Sequence, residues 1–88
     1  MEIKTNQELH GKEPQVGYEW DAGLTPPSDP APGRWTVRRE QDKWVVLFHS
    51  FNGPEYRIHA FPPTEDGERA AKRMALTLVD IAWGKYDD

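Results

Sequence analysis

Seven residues, Lys43-Trp44-Val45-Val46-Leu47-Phe48-His49, constrain this chain more than any other stretch. Their apolar side chains fall on both faces of an extended backbone, which suits a central strand. The segments on either side alternate with period two: Arg34-Trp35-Thr36-Val37-Arg38-Arg39-Glu40 before it, Glu55-Tyr56-Arg57-Ile58-His59-Ala60-Phe61 after it. The connections are short. Gln41-Asp42 makes the first, and a loop around Asn52-Gly53-Pro54 makes the second, where Asn-Gly supplies the positive φ of a tight turn. The pattern predicts a three-stranded antiparallel meander.

Register follows from the turns. A two-residue Gln41-Asp42 turn sets Glu40 opposite Lys43, Val37 opposite Val46 and Trp35 opposite Phe48. Trp35, Val37, Trp44, Val46 and Phe48 then share one face. An odd second loop, such as Asn52 to Pro54, brings Tyr56, Ile58 and Ala60 to the same face. The opposite face is then expected to expose Arg34, Thr36 and Arg38, then Val45, Leu47 and His49, then Glu55, Arg57 and His59. It reads as a cationic rim around an apolar strip.

Pro62-Pro63 ends the third strand, and Thr64 is placed to cap a helix. Glu65, Asp66 and Glu68 fall in its first turn, where carboxylates meet the positive helix end. The helix is predicted to run to about Trp83, with Gly84 as its stop. Ile81, Met74, Leu78, Ala71, Ala82, Ala75 and Val79 form one broad apolar arc. Leu76 and Trp83 carry that arc past what one sheet face needs, beside a narrow polar stripe of Arg69, Arg73, Thr77 and Asp80. This secondary apolar surface calls for cover: from the chain's own N-terminal segment through Tyr18, Trp20 or Leu24, or from a partner chain, either a target or a second copy in a homodimer.

Residues 1–33 have a different character. They hold five of the eight prolines, and Thr25-Pro26-Pro27-Ser28-Asp29-Pro30-Ala31-Pro32-Gly33 reads as a stiff linker with polyproline II character. The expected architecture is therefore α+β, a βββα domain at residues 34–88 behind an extended or flexible, acidic, Pro-rich arm at residues 1–33. One detail resists the arm reading. Val16, Tyr18 and Trp20 alternate with Gly17 and Glu19, as in a short strand or an arm that docks aromatics on the domain.

Composition excludes several chemistries. With no cysteine in 88 residues there is no disulfide framework, thiolate zinc site or thiol nucleophile. The longest apolar run, Val45 to Phe48, is far too short to span a membrane. The start, Met1-Glu2-Ile3-Lys4-Thr5-Asn6, lacks the features of a signal peptide, so the expectation is a cytoplasmic protein. Ser28 and Ser50 have no nucleophile-elbow context, and the seven glycines are too scattered to cradle a phosphate. No catalytic residue and no cofactor is assigned. His10 lies in the arm. His49 and His59 are expected at diagonal positions on the outer face, suited to partner contacts more than to a shared metal ion.

Charge is unevenly placed. The formal net charge of -4 divides into -4 for residues 1–33, +2 for residues 34–63 and -2 for residues 64–88. Here Gly33-Arg34-Trp35-Thr36-Val37-Arg38-Arg39, Trp44-Val45-Val46 and the helix opening Glu68-Arg69-Ala70-Ala71 carry a resemblance. Residues 33–83 resemble the three-stranded-sheet-plus-helix domains of the integrase arm-binding and plant AP2 type. That resemblance implies a sheet face entering the DNA major groove, with Arg34, Arg38, Arg57 and Thr36 as contacts. The acidic whole, and Val45 and Leu47 on the same face, suit a protein partner better. The acidic arm and the tail residues Asp87 and Asp88 would steer such a partner. The chain is also similar in composition to small inhibitor proteins that phages and mobile elements make against host machinery. The favoured expectation is a non-catalytic protein-binding domain using Arg34, Arg38, Val45, Leu47, His49, Arg57 and His59; duplex DNA is the alternative target.

Overall fold

The computed structural model describes residues 15–84. Strands β1 (Glu19–Leu24), β2 (Gly33–Glu40), β3 (Lys43–Ser50) and β4 (Glu55–Phe61) precede one helix, α1 (Glu65–Ala82). The strands form one antiparallel sheet in the order β1-β2-β3-β4, and α1 packs on it. The class is α+β, but the expected three strands are four.

The fourth strand comes from the segment read as an arm. Trp20 pairs with Val37 and packs against the core, while Glu19 and Asp21 point the other way beside Arg38 and Thr36. The period-two pattern stops there because β1 has a bulge between Asp21 and Gly23. The Asp21 Oδ1 accepts a hydrogen bond from the Gly23 amide at 2.9 Å, and Gly23 takes a φ of 132°, which favours glycine. The proline-rich stretch is a closed connection rather than a linker. Thr25 Oγ1 accepts from the Gly33 amide at 2.9 Å, and the Thr25 amide donates to the Gly33 carbonyl at 2.9 Å. Within the loop, Asp29 Oδ1 accepts from the Ala31 amide.

The β2–β3 hairpin has the expected register, with Glu40 opposite Lys43, Val37 opposite Val46 and Trp35 opposite Phe48. The β3–β4 pairing departs from expectation. It begins with Phe48 opposite Tyr56 and Leu47 opposite Arg57, then slips so that Val46 faces His59 and Trp44 faces Phe61. Ile58 is the extra residue. A bulge reverses which face each later side chain takes. Ala60 therefore moves to the outer face opposite Val45, and His59 moves to the helix face. His49 stays outside, so the two histidines expected side by side lie on opposite faces of the sheet.

Helix α1 starts as expected: Thr64 Oγ1 accepts from the Gly67 amide at 3.0 Å. Gly67, Ala71, Ala75 and Val79 are its buried residues. Small side chains every fourth position let the helix lie close on Val37, Trp44 and Val46. This ridge is narrower than the expected arc, and Ile81 is left 53% exposed. The helix begins beside the end of β4 and reaches β1, where Val79 approaches Gly23 and Trp83 Nε1 donates to the Leu24 carbonyl at 2.9 Å. It thus crosses the sheet obliquely. Among the described residues no helix is long and apolar enough to cross a membrane.

Gly67 fixes the start of that crossing, since a Cβ there would overlap the Pro62 carbonyl. Gly67→Ala is expected to lower the unfolding free energy by roughly 2 kcal/mol. Urea titration checks this, and an unchanged midpoint would refute the close approach.

Candidate functional site

The outer sheet face is where the sequence places the binding residues. On it, Val45 is 1% exposed and Leu47 is 0% exposed, although among the described residues no helix covers this side. What covers them is a lattice of ion pairs. Arg38 on β2 reaches over β3 to Glu55 on β4, with Nη1 to Oε2 at 3.0 Å and Nη2 to Oε1 at 3.2 Å. Arg57 on β4 reaches back over β3 to Glu40 on β2, with contacts of 2.7 and 2.8 Å. Both bridges are bidentate, and their methylene stems lie along the apolar strip.

Strand β1 completes the lattice. Arg38 Nε donates to Glu19 Oε1 at 3.2 Å, and Thr36 Oγ1 donates to Glu19 Oε2 at 2.6 Å. Having given its one hydrogen to Glu19, the Thr36 hydroxyl accepts from His49 Nε2, 2.8 Å away. The other ring nitrogen of His49 lies 3.5 Å from Glu55 Oε1. Arg34 pairs with Asp21. The expected cationic rim is thus neutralised. The acids assigned by the sequence to a separate arm arrive on the face through β1, and each of Arg34, Arg38 and Arg57 is held by a carboxylate.

The titration of these groups follows. Burial alone would raise Glu19, but hydrogen bonds from Thr36 and Arg38 and the Arg38 charge hold its carboxyl below the ordinary 4.5. The Arg57 hydrogen bonds lower Glu40, and the Arg38 hydrogen bonds lower Glu55. Arg38 is raised by its bond to Glu55.

The other side of the sheet is open at β4. Because α1 crosses obliquely toward β1, Tyr56 at 48%, Ile58 at 43% and His59 remain exposed on this side. Between β4 and α1 runs an open groove of about 530 Å³. Ile58, His59 and Phe61 form its strand wall, and Ala70, Met74 and Leu78 form its helix wall. His59 packs on Phe61 with ring centroids 4.7 Å apart. Arg73 and Thr77 edge the groove. Neighbouring cations are engaged, Arg69 by Asp66 and Lys72 by Glu68, each at 2.8 Å, whereas Arg73 makes no ion pair among the described residues.

The structure therefore divides the expected site. Arg34, Arg38, His49 and Arg57 gather on the outer face, Val45 and Leu47 lie beneath them, and His59 joins the groove. Of the secondary surface, Leu76 is 45% exposed and Trp83 is 52% exposed, with Trp83 tied to β1 by its indole hydrogen bond. His10, Asp87 and Asp88 lie outside the described residues. The groove was missed because it depends on the Ile58 bulge, which leaves no mark in the alternation of Glu55 to Phe61. Among the described residues no group of three or more His, Asp or Glu is arranged to hold a metal ion. The chain matches no protein-family model, no curated protein and no solved structure.

Two outcomes test the lattice. Glu19, Glu40 and Glu55 have lowered values in the folded state, so their contribution to stability is complete above about pH 5 and is lost as pH falls through those values. The melting temperature should drop as pH is lowered below about 5, with a flatter profile in a Glu19→Gln/Glu40→Gln/Glu55→Gln variant. Second, Arg38→Ala should destabilise by about 1–2 kcal/mol by uncovering Val45 and Leu47, and Arg38→Met by less than half as much. Equal losses in chemical denaturation would show that charge, not cover, is what Arg38 supplies.

Proposed function

We propose that this chain is a non-catalytic protein-binding domain whose recognition surface is the β4 flank: the edge strand and the apolar groove beside α1. The observation that carries this reading is the exposure of Tyr56, Ile58 and His59 on the side of the sheet where that groove runs. A sheet edge offers unpaired backbone donors and acceptors, and a neighbouring apolar groove offers side-chain specificity. Among the described residues strand β4 has only β3 as a neighbour, so its other side carries no strand. The outer face suits recognition less well, because a partner there would have to displace bidentate bridges to reach Val45 and Leu47.

The same bridges weigh against duplex DNA. Phosphate binding draws on uncompensated cations, and the arginines that the resemblance would send into a major groove are paired with Asp21, Glu19, Glu55 and Glu40. A mobility-shift titration at low salt and micromolar protein should show no complex.

Selection of random displayed peptides on the full chain tests the protein-binding reading. Enriched peptides should lose at least about tenfold in affinity on a Tyr56→Lys/Ile58→Lys variant, a change at two solvent-facing edge positions that leaves the circular dichroism spectrum unaltered. Peptides that bind this variant as well as the parent would move the recognition surface elsewhere, and a salt-dependent DNA complex would overturn the reading.

A further inference from the structure

Resting on that reading, we propose that the β4 flank takes an extended, acidic–apolar polypeptide segment, added to β4 as a fifth strand. On its helix-side face an apolar residue fills the groove, and a carboxylate two positions away meets Arg73. Three features of the molecule converge on this occupant.

The first is backbone. The slot is bounded by a strand edge, so an extended segment satisfies its outward N–H and C=O groups, which a helix laid in the groove would leave unpaired. The second is the groove itself. Ile58 and Phe61 from the strand and Met74 and Leu78 from the helix present apolar surface to one side of any added strand. Side chains of a strand alternate, so residues two apart share that side and lie about 6.5–7 Å from each other.

The third is charge. Arg73 edges the groove and has no ion pair among the described residues, while Arg69 and Lys72 beside it are engaged. A cation with no ion pair among the described residues, set at the rim of an apolar groove, favours a carboxylate there. The same feature disfavours a second copy of this chain. A symmetric β4–β4 pairing would bring two like-charged Arg73 rims to one face.

The test uses the full, nitrogen-15-labelled chain and blocked synthetic heptapeptides in a threonine background. One carries Leu and Asp two positions apart, one carries Leu and Lys, and one is the Leu/Asp peptide with N-methylated backbone amides. The Leu/Asp peptide should shift the amide resonances of Ile58, His59 and Thr77 and bind roughly threefold to fivefold tighter than the Leu/Lys peptide, the range of an exposed ion pair. Arg73→Glu should reverse that order, and the N-methylated peptide should not bind. Equal binding of all three peptides would overturn the proposal while leaving β4 a protein-binding surface. Shifts confined to residues away from β4 and α1 would overturn both. A dimer in light scattering that protects the Ile58 amide would replace the proposed occupant with a second copy.

Discussion

Everything in this fold answers to one constraint: β3 is apolar on both faces and, among the described residues, a single helix is there to cover it. Trp44 and Val46 meet the small-residue ridge of α1. Val45 and Leu47 face the other way and are as fully buried. Burying two such side chains is worth about 1.5–3 kcal/mol each, whereas an exposed ion pair contributes at most about 1 kcal/mol. The arginine–carboxylate bridges over β3 are therefore better understood as cover than as attraction. Arg38 and Arg57 extend their stems across the apolar strip from opposite edges, and Glu55 and Glu40 hold the far ends in place. The coulombic part of each bridge fixes geometry, and the methylenes exclude water.

That division of labour decides which surfaces are closed and which stay open. A face whose arginines are fixed in bidentate pairs presents a nearly neutral polar lattice, with few unsatisfied groups. The opposite face is incompletely covered because one helix of 18 residues, about 27 Å long, crosses a twisted four-stranded sheet obliquely. Its contacts run from the end of β4 to the end of β1, so the uncovered part falls along β4. The groove follows from the number of elements available, and the bulge at Ile58 then lines it with His59 and Phe61 rather than Ala60.

Local signals carried the legible part of the fold. The two-residue turn at Gln41-Asp42 set the β2–β3 register, and Thr64 with its acidic first turn marked the helix start. Strand β1 was half legible, since Tyr18 and Trp20 alternate correctly, but Ala22-Gly23 breaks the period through a bulge stabilised by the Asp21 side chain. The proline-rich loop obscured it further. Its closure rests on the Thr25–Gly33 bonds, between residues eight apart that no local pattern connects. The site was less legible for the same kind of reason. Residues Arg34, Arg38, His49 and Arg57 were placed on the correct face, but Asp21, which pairs with Arg34, and Glu19, which meets Arg38 and His49, arrive from β1. Without that strand the face looks cationic and its apolar strip looks bare.

The two sheet edges show why β4 is the one left available. At β1 the edge is short and bulged, and its aromatics are occupied: Tyr18 packs edge-on against Trp44, and Lys72 Nζ sits 5.8 Å from the Tyr18 ring and 5.2 Å from the Trp20 ring. Glu68 holds the Lys72 ammonium within the helix, and the Tyr18 and Trp20 rings beneath it tie α1 to that side. Strand β4 receives no comparable fastening. Tyr56 stacks on Phe48 at 6.4 Å yet stays half exposed, and Arg73, on the helix side of the groove, has no carboxylate among the described residues to draw it down. The bulge at Ile58 turns His59 and Phe61 into the groove, so an irregularity in the β3–β4 pairing gives the open side of β4 its shape.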